Sequence, residues 1–348
     1  MTRCMVASLD PLEPRDNPRL LSLVVPLYNE KEMVPHLRRR LSEFLPILPC
    51  DAEVILVNDG SVDGSLEALQ SWARDDARVR IVSLSRNYGH QLAATAGLDC
   101  ARGDAIVLMD ADLQDPPELI LDMLAEYRNG YDVVHAQRKG RLGESLFKRA
   151  TAWLFYRLMR ALVYDRLIPD VGDFRLISRP CLTALQQMRE THRFLRGMVA
   201  WVGFPQTTVQ FVRPPRQAGQ TKYPLHKMLR FAWTAAMSFS PLPLRMVFGM
   251  GFVVAGLGGL IAIYTIMSRV LHLYVVPGWT SIMLTLCLIG GFILIGLGVI
   301  GEYVAKIYEE VKRRPLYVID PIRSRNLDLS GKETEARHHK HPNATQYE

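Results

Sequence analysis

"IVLMDADLQDPPE" (residues 106–118) begins as a buried strand and ends as a cluster of acids. Ile106 to Met109 are apolar, and Asp110, Asp112, Asp115 and Glu118 follow within nine positions. Like charges that close repel one another and cost stability. Two carboxylates at i and i+2 after a strand can reach one point beyond the sheet edge, and a divalent cation at that point removes the repulsion. Mg2+ or Mn2+ takes oxygen ligands and binds through one or two carboxylates plus substrate phosphates. The remainder of the stretch reads as a helix start. Asp115 suits the N-cap, Pro116 or Pro117 the first turn, and Glu118 the positive helix end.

Upstream, strand-like and helix-like segments alternate. "LLSLVVP" (20–26), "EVILVND" (53–59), "VRIVSL" (79–84), "AIVLMD" (105–110) and "YDVVHAQ" (131–137) are rich in Val and Ile and bounded by polar or Gly/Pro residues. Buried parallel strands have that composition. Helical stretches near 31–45, 63–75, 89–101 and 117–129 separate them. The alternation predicts an α/β domain with a mostly parallel sheet, whose ligands bind beyond the carboxyl ends of the strands. "PLYNE", "NDGSVDGS", "SRNYGH" and "DADLQD" all lie at those ends. Any one of them is explained by turn chemistry. Four at one edge point to a shared cleft.

The second half is more varied. Residues 144–166 put Leu, Phe, Trp and Tyr at helical spacing among Lys148, Arg149, Arg157, Arg160 and Arg166. That pattern fits a helix packed on the domain with a solvated basic face, or one at a membrane surface. "VGDFRLISRP" (171–180) reads as a loop and short strand, "RFLRGMVAWVGF" (193–204) as a helix, "TTVQFV" (207–212) as a strand and "RPPRQAGQTKYP" (213–224) as a basic loop. A further amphipathic helix over 223–245 leads into residues 246–268, which contain no Asp, Glu, Lys or Arg. After Arg269 none recurs until Glu302, and Pro277-Gly278 starts the second apolar run near Trp279. Each run supplies the roughly 20 apolar residues that span a bilayer core, more than most core helices of soluble domains contain. Transmembrane helices over 246–268 and 279–303 are therefore expected. Arg230 and Arg245 before them, and Lys306, Lys312, Arg313 and Arg314 after them, place both ends in the cytoplasm by the positive-inside rule.

The 348-residue chain is 49% hydrophobic and carries a net charge of +7. The charge suits anionic lipid heads or phosphates, and no nucleic-acid motif accompanies it. Residues 1–19 lack an apolar core and are expected to be flexible rather than a signal peptide, and the chain after about Asn326 is polar and expected to be disordered. Cys4, Cys50, Cys100, Cys181 and Cys287 are scattered, with no CxxC pair, and suggest neither a disulfide framework nor zinc. "GLGVIG" (296–301) matches a dinucleotide-binding pattern but lies in the second apolar run, outside any strand-turn-helix unit. Its glycines, like Gly251, Ala255 and Gly259, suit close helix packing, including association into a homo-oligomer.

Taken together, "VVPLYNE" (24–30), "VNDGSVDGS" (57–65), "SRNYGHQLAATAGL" (85–98), "LMDADLQDPPE" (108–118), "VGDFRLISR" (171–179) and "GEYVAKIYEEVKRRPLY" (301–317) resemble glycosyltransferase family 2. The resemblance covers roughly residues 20 to 320. It is to the inverting polyprenyl-phosphate glycosyltransferases of the GT-A fold, which include dolichol-phosphate mannose synthases and bactoprenol glucosyltransferases. It implies a cytoplasmic catalytic domain over 20–222, a two-helix transmembrane hairpin, a cytoplasmic segment over 304–348 and a place in the bacterial inner membrane.

By the same resemblance, Pro26, Tyr28 and Glu30 would flank the donor nucleobase and Asp59 would contact the base or ribose. Asp110 would hold the ribose or metal region, and Asp112 with Gln114 would bind Mg2+ or Mn2+ on the donor diphosphate. Arg138, Arg175, Lys148, Arg216 and Lys222 would contact phosphates of the donor or of the lipid acceptor, a task suited to charge-assisted hydrogen bonds. Family analogy offers Asp173 as a catalytic base. A phosphate acceptor is already anionic near neutral pH, so Asp173 orienting Arg175 or the acceptor is the other reading. "VNDGS" has Asn58 where many relatives have Asp, and Gln220-Thr221 stands where relatives often have Glu or Ser.

The segments at 171–179 and 192–204 look most like the bactoprenol glucosyltransferases, which points to UDP-glucose as donor and undecaprenyl phosphate as acceptor. Mannose or an amino sugar are the alternatives. Processive polysaccharide synthases share the fold but resemble one another by a QxxRW motif, and "QQMRE" (186–190) lacks its Trp. A membrane scaffold that binds nucleotide sugars without catalysis would have a degenerate acid motif, whereas Asp59, Asp110 and Asp112 are all present.

Overall fold

The computed structural model describes residues 13–138, 171–211, 242–271 and 278–327. The helix expected over 144–166, the basic loop at 213–224, nearly all of the amphipathic helix at 223–245, and Lys148, Arg216 and Lys222 lie outside the described residues. So do the first twelve residues and the tail from residue 328.

The first half follows the expected alternation. Strands β1 (Leu20–Leu27), β2 (Asp51–Asn58), β3 (Val79–Ser83), β4 (Ala105–Leu108) and β5 (Val133–Arg138) alternate with helices α1 (Val34–Phe44), α2 (Ser65–Asp75), α3 (His90–Cys100) and α4 (Leu119–Arg128). Then come β6 (Val171–Ser178), α5 (Arg179–Gln187), α6 (Leu195–Val202) and β7 (Gln206–Phe211), followed by the long helices α7 (Leu242–Val270) and α8 (Trp279–Val311). Among the described residues the strands form one sheet in the order β3-β2-β1-β4-β6-β5-β7. Only β6 runs antiparallel to its neighbours, so the sheet is mostly parallel, as the GT-A fold requires.

Strand β6 corrects the sequence reading, which expected a loop and a short strand there. It is eight residues long and nearly all buried, and it sits between β4 and β5. Phe174 and Leu176 join the core on one face of the sheet and Ile177 the core on the other. Helix α5 was not anticipated, although its start signal is present: Ser178 Oγ accepts the Cys181 N–H and Pro180 stands in the first turn. A second correction concerns the acid stretch. Helix α4 begins at Leu119 with no side-chain cap. Asp115 is buried in the preceding turn, and Glu118 forms an exposed ion pair with Arg40 at 2.8 Å.

Small residues bring α3 flat onto the sheet. Ala93, Ala94 and Ala96 are fully buried. A Cβ on Gly97 would lie 2.4 Å from Val24 Cγ1 and 2.8 Å from Val57 Cγ2, so only glycine permits this approach. The packing fixes where the N-terminus of α3 points, which is over the carboxyl edge of the sheet.

Two terminal segments are tied down. Arg15, in the stretch expected to be flexible, donates its N–H to Arg128 O (2.8 Å) and pairs with Asp132 at 3.0 Å. After α8 the chain returns to the edge strand β3. Ser85 N–H donates to Val318 O (2.9 Å), Asp320 N–H to Ser83 O (2.8 Å) and Arg325 N–H to Ile81 O (3.1 Å). An open strand edge is a template for aggregation, and this strap covers it. Beneath it, Arg80 Nη1 donates to Glu53 Oε2 at 2.8 Å, with both side chains almost fully buried. Burial alone would raise the Glu53 carboxyl, but hydrogen bonds from Ser22, the Arg102 N–H and Arg80 hold it below its usual value. Arg80→Ala would remove the buried cation that faces that carboxylate, leaving it Ser22 and Arg102, and would also take away one tie to the strap, since Arg80 Nε donates to Asn326 O. A loss of about 3–5 kcal/mol in denaturant unfolding is expected.

Among the described residues one stretch, Ile289–Val311 within α8, is long and apolar enough to cross a membrane. The apolar stretch of α7, Val247–Gly258, is shorter. The two helices touch, and a Cβ on Gly296 would lie 3.3 Å from Val247 Cγ1.

Candidate active site

Parallel strands β2, β1 and β4 deliver their C-terminal ends to one edge, so topology alone gathers three of the expected motifs. In register, Pro26 faces Val57 and Leu27 faces Asn58, while Val24 faces Leu108. The turn after β1 is knitted to the turn after β2. Asn29 N–H donates to Ser61 Oγ (3.0 Å), Val62 N–H to Asn29 Oδ1 (2.9 Å), Glu30 N–H to Ser65 Oγ (3.0 Å) and Lys31 N–H to Asp63 Oδ2 (3.1 Å). Tyr28 stands half-exposed on this rim, and Pro26 is buried beneath it.

Asp59 is 2% exposed and holds another loop. Its carboxylate accepts the N–H groups of Tyr88 (2.7 Å) and Gly89 (2.9 Å) and the Asn87 side-chain amide (3.0 Å). These backbone donors sit at the start of α3, where an acidic group is favourable. Burial nonetheless pushes the Asp59 carboxyl above its usual value. Gly60 follows with φ +67°, and a Cβ there would lie 2.5 Å from the Arg86 carbonyl carbon. The Asp-Gly pair therefore serves both the acid's reach and the close approach of the 86–89 loop. Asn58 is buried and structural, its side-chain amide donating to Ser83 Oγ at 3.0 Å.

Asp110 and Asp112 follow β4 at the centre of the edge. Asp112 Oδ1 accepts the Gln114 N–H at 3.1 Å across a turn in which Leu113 takes φ +54°. The antiparallel register of β6 sets Arg175 opposite Leu108, which brings Asp173 beside Asp110. His90, the first residue of α3, lies between them: Nε2 is 3.5 Å from Asp110 Oδ1 and 3.3 Å from Asp173 Oδ2. Burial opposes a charge on His90, but the two carboxylates outweigh it and raise its pKa. Burial also raises Asp110, and the neighbouring Asp173 and Asp112 add to the shift against the pull of His90.

Asp173 gathers cations. Arg196 Nε donates to its Oδ1 at 2.8 Å and Arg175 Nη2 at 3.4 Å, while Gln91 Nε2 donates to Oδ2 at 3.3 Å. Burial alone would raise its carboxyl, but His90, Arg196 and Arg175 hold it well below the usual carboxylate range. Arg175 is fully buried. It donates to Gly172 O (2.9 Å) and Asp173 O (3.2 Å), and its Nη1 meets no acceptor among the described residues. Burial lowers its pKa to about 10, so it remains a cation at neutral pH. Next to it His135 is pushed down to about 3 by burial and by Arg175, and is neutral. Arg138 ends β5 at the same edge of the sheet.

Sequence reasoning missed His90, Gln91 and Arg196. "SRNYGH" reads as a strand-end motif, but nothing in it shows that its His faces two acids. Arg196 meets Asp173 only because α6 returns beside α3, where Leu195 N–H donates to Gln91 Oε1 at 3.0 Å. Gln186 and Arg189, the partial QxxRW match, are bound elsewhere, to Leu98 O (3.3 Å) and Asp99 Oδ2 (2.6 Å). Among the described residues no three His, Cys, Asp or Glu side chains form a metal cage. Asp110 and Asp112 offer the two oxygen ligands that Mg2+ takes alongside substrate phosphates.

The sequence model of "Glycosyl transferase family 2" matches residues 22–185, which carry every one of these acids. The chain is 44% identical over 298 residues to the uncharacterized glycosyltransferase YkcC of Bacillus subtilis, covering 86% of this chain and 92% of that one. The chain belongs to glycosyltransferase family 2. Within that family, it is 37% identical over 299 residues to the bactoprenol glucosyl transferase of Shigella phage SfII, covering 86% and 97% of the two chains. A prophage bactoprenol glucosyl transferase homolog of Escherichia coli is 36% identical over 303 residues, covering 87% and 99%.

Proposed function

We propose that this glycosyltransferase moves one sugar, glucose from UDP-glucose, onto a polyprenyl phosphate at the cytoplasmic face of the bacterial inner membrane. The observation that carries the reading is the meeting of opposite charges at one sheet edge. Asp110 and Asp112 form an acidic point, and the Asp173–Arg175–Arg196 group beside it forms a cationic corner. A donor diphosphate with its ion fits the first, and an anionic acceptor head group fits the second. The names of the phage and prophage relatives favour the polyprenyl acceptor and glucose.

In this reading Asp110, Asp112 and Gln114 hold a Mg2+ or Mn2+ ion, which when bound offsets negative charge building on the leaving diphosphate. Tyr28 and Glu30 line the base end of the donor with Pro26 packed beneath them, and Asp59 supports it through the 86–89 loop. Arg138 contacts phosphate. Asp173 orients the cations of Arg175 and Arg196, and Lys148, Arg216 and Lys222 add phosphate contacts. An acceptor phosphate oxygen attacks the sugar C1 as the bond from C1 to the diphosphate oxygen breaks on the opposite face. That single displacement inverts C1. The attacking oxygen is already anionic, so no base has to remove a proton.

A membrane hairpin of α7 and α8 would hold this site beside the lipid. Phe248, Phe252 and Leu257 on α7 and Leu286 and Ile293 on α8 are exposed, more apolar surface than a soluble domain leaves bare. The test is incubation of membranes carrying the full chain with undecaprenyl phosphate and a panel of labelled nucleotide sugars. A single β-linked glucose on lipid phosphate from UDP-glucose is expected. A polymer would favour a processive synthase, mannose or an amino sugar would change the donor, and no transfer from any donor would sink the reading.

A further inference from the structure

Helix α8 is longer than a membrane span needs. Its 33 residues reach about 50 Å at 1.5 Å per residue, whereas a bilayer core uses roughly 20 residues. The first charged residue in α8 is Glu302, so the 279–301 part alone supplies an uncharged span, and the charged last turns, with Lys306, Glu309 and Glu310 at the end of the Ile289–Val311 stretch, reach the α/β domain. Among the described residues they meet it at the loop after α5. Glu310 Oε1 accepts the Thr191 N–H at 2.7 Å, and Glu309 Oε2 lies 2.7 Å from His192 Nε2.

That loop runs directly into the site. Four residues beyond His192, Arg196 donates to Asp173, and Leu195 N–H is held by Gln91. A second tie lies just past the helix. Tyr317 O–H and Arg189 Nη1 both donate to Asp99 Oδ2 at 2.6 Å, which joins the strap, the start of the loop and the far end of α3. The other end of α3 carries His90. Two ties thus run from the α8 end and the strap that follows it, one to Arg196 and one to the helix that presents His90.

We propose that Glu309 and Glu310 are positioning residues, which brace the 191–196 segment so that the depth of α8 sets where the Asp173–Arg196 corner stands over the lipid acceptor. Neither acid touches the reacting atoms. The brace itself is read from contacts within the chain, and its effect on the acceptor rests on the polyprenyl-phosphate reading above.

The full-length protein in lipid vesicles tests it through Glu309→Ala/Glu310→Ala and through Glu310→Gln, whose amide oxygen still accepts the Thr191 N–H. The double variant should lose on the order of tenfold in kcat/KM for vesicle-borne polyprenyl phosphate, the scale of one charge-assisted hydrogen bond, with UDP binding within about twofold of the wild type. Glu310→Gln should stay near the wild type. Amide exchange gives a readout that needs no substrate: Thr191 and the amides through Arg196 should exchange faster in the double variant only. Unchanged exchange and unchanged kcat/KM would overturn the brace, as would a parallel loss of UDP binding, which would mean general damage. Wild-type protein that glycosylates no polyprenyl phosphate would overturn the functional reading instead, and the exchange comparison would still decide the brace.

Discussion

Asp112→Asn should lower kcat roughly a thousandfold, the several kcal/mol that a metal contributes to a transferring phosphate, while leaving the fold intact. The asparagine keeps an oxygen where Asp112 Oδ1 now accepts the Gln114 N–H, so the turn through Leu113 survives. What disappears is one negative charge beside Asp110, whose carboxyl is already raised by burial and by its acidic neighbours. The variant should therefore bind the divalent ion and the donor diphosphate weakly, with thermal unfolding within a few degrees of the wild type. Excess chelator should silence the wild-type protein, and Mg2+ or Mn2+ should restore it. Normal transfer by the variant, or full activity in chelator, would remove the metal from the mechanism.

The sequence showed this part of the site because parallel strands announce themselves. "LLSLVVP" and "AIVLMD" are uninterrupted apolar runs, and whatever polar residue follows such a run falls at the carboxyl edge. Strand β6 gave no such signal. The resemblance singled out Asp173 and Arg175, and the reading in which Asp173 orients Arg175 was open, but only the fold reveals that the pair is buried inside the sheet. The error at Asp115 has a similar origin. A cap signature is local, but Asp115 is drawn into the buried turn behind Asp112, and α4 starts four residues later. His90 and Arg196 converge on Asp173 from two different helices, and the Leu195–Gln91 bond that sets those helices side by side joins residues 104 positions apart, which periodicity cannot report. The brace at Glu309 and Glu310 was hidden for the same reason, since acids near the end of a helix usually mean only a solvated face.

Asp173→Asn should affect stability more than any other single change in the site. Arg175 is fully buried and Asp173 is its one acidic partner among the described residues. Removing one member of a buried pair costs about 3–5 kcal/mol because the remaining charge stays uncompensated. For a domain of this size that lowers Tm by on the order of 10 °C. The asparagine amide would also face Gln91 Nε2, setting donor against donor. Replacing both partners, as in Asp173→Asn/Arg175→Met, should recover part of the loss, since no lone cation is then left inside.

Acid dependence separates the two roles open to this residue. The folded state holds the Asp173 carboxyl below the roughly 3.9 of an unfolded chain. Its contribution to stability is therefore complete above about pH 4 and falls away as pH drops toward the folded value. Wild-type Tm should decline through that range, and the Asn variant should decline less steeply. Catalysis should behave differently. An anionic phosphate acceptor needs no proton removed, so the variant's kcat should be lower at every pH with the shape of its pH profile preserved. If the profile instead loses an acidic limb when Asp173 is changed, the residue is a base and the acceptor enters the reaction protonated. If the shape holds while Tm falls, Asp173 acts by holding Arg175 and Arg196 in place beside the acidic point of Asp110 and Asp112.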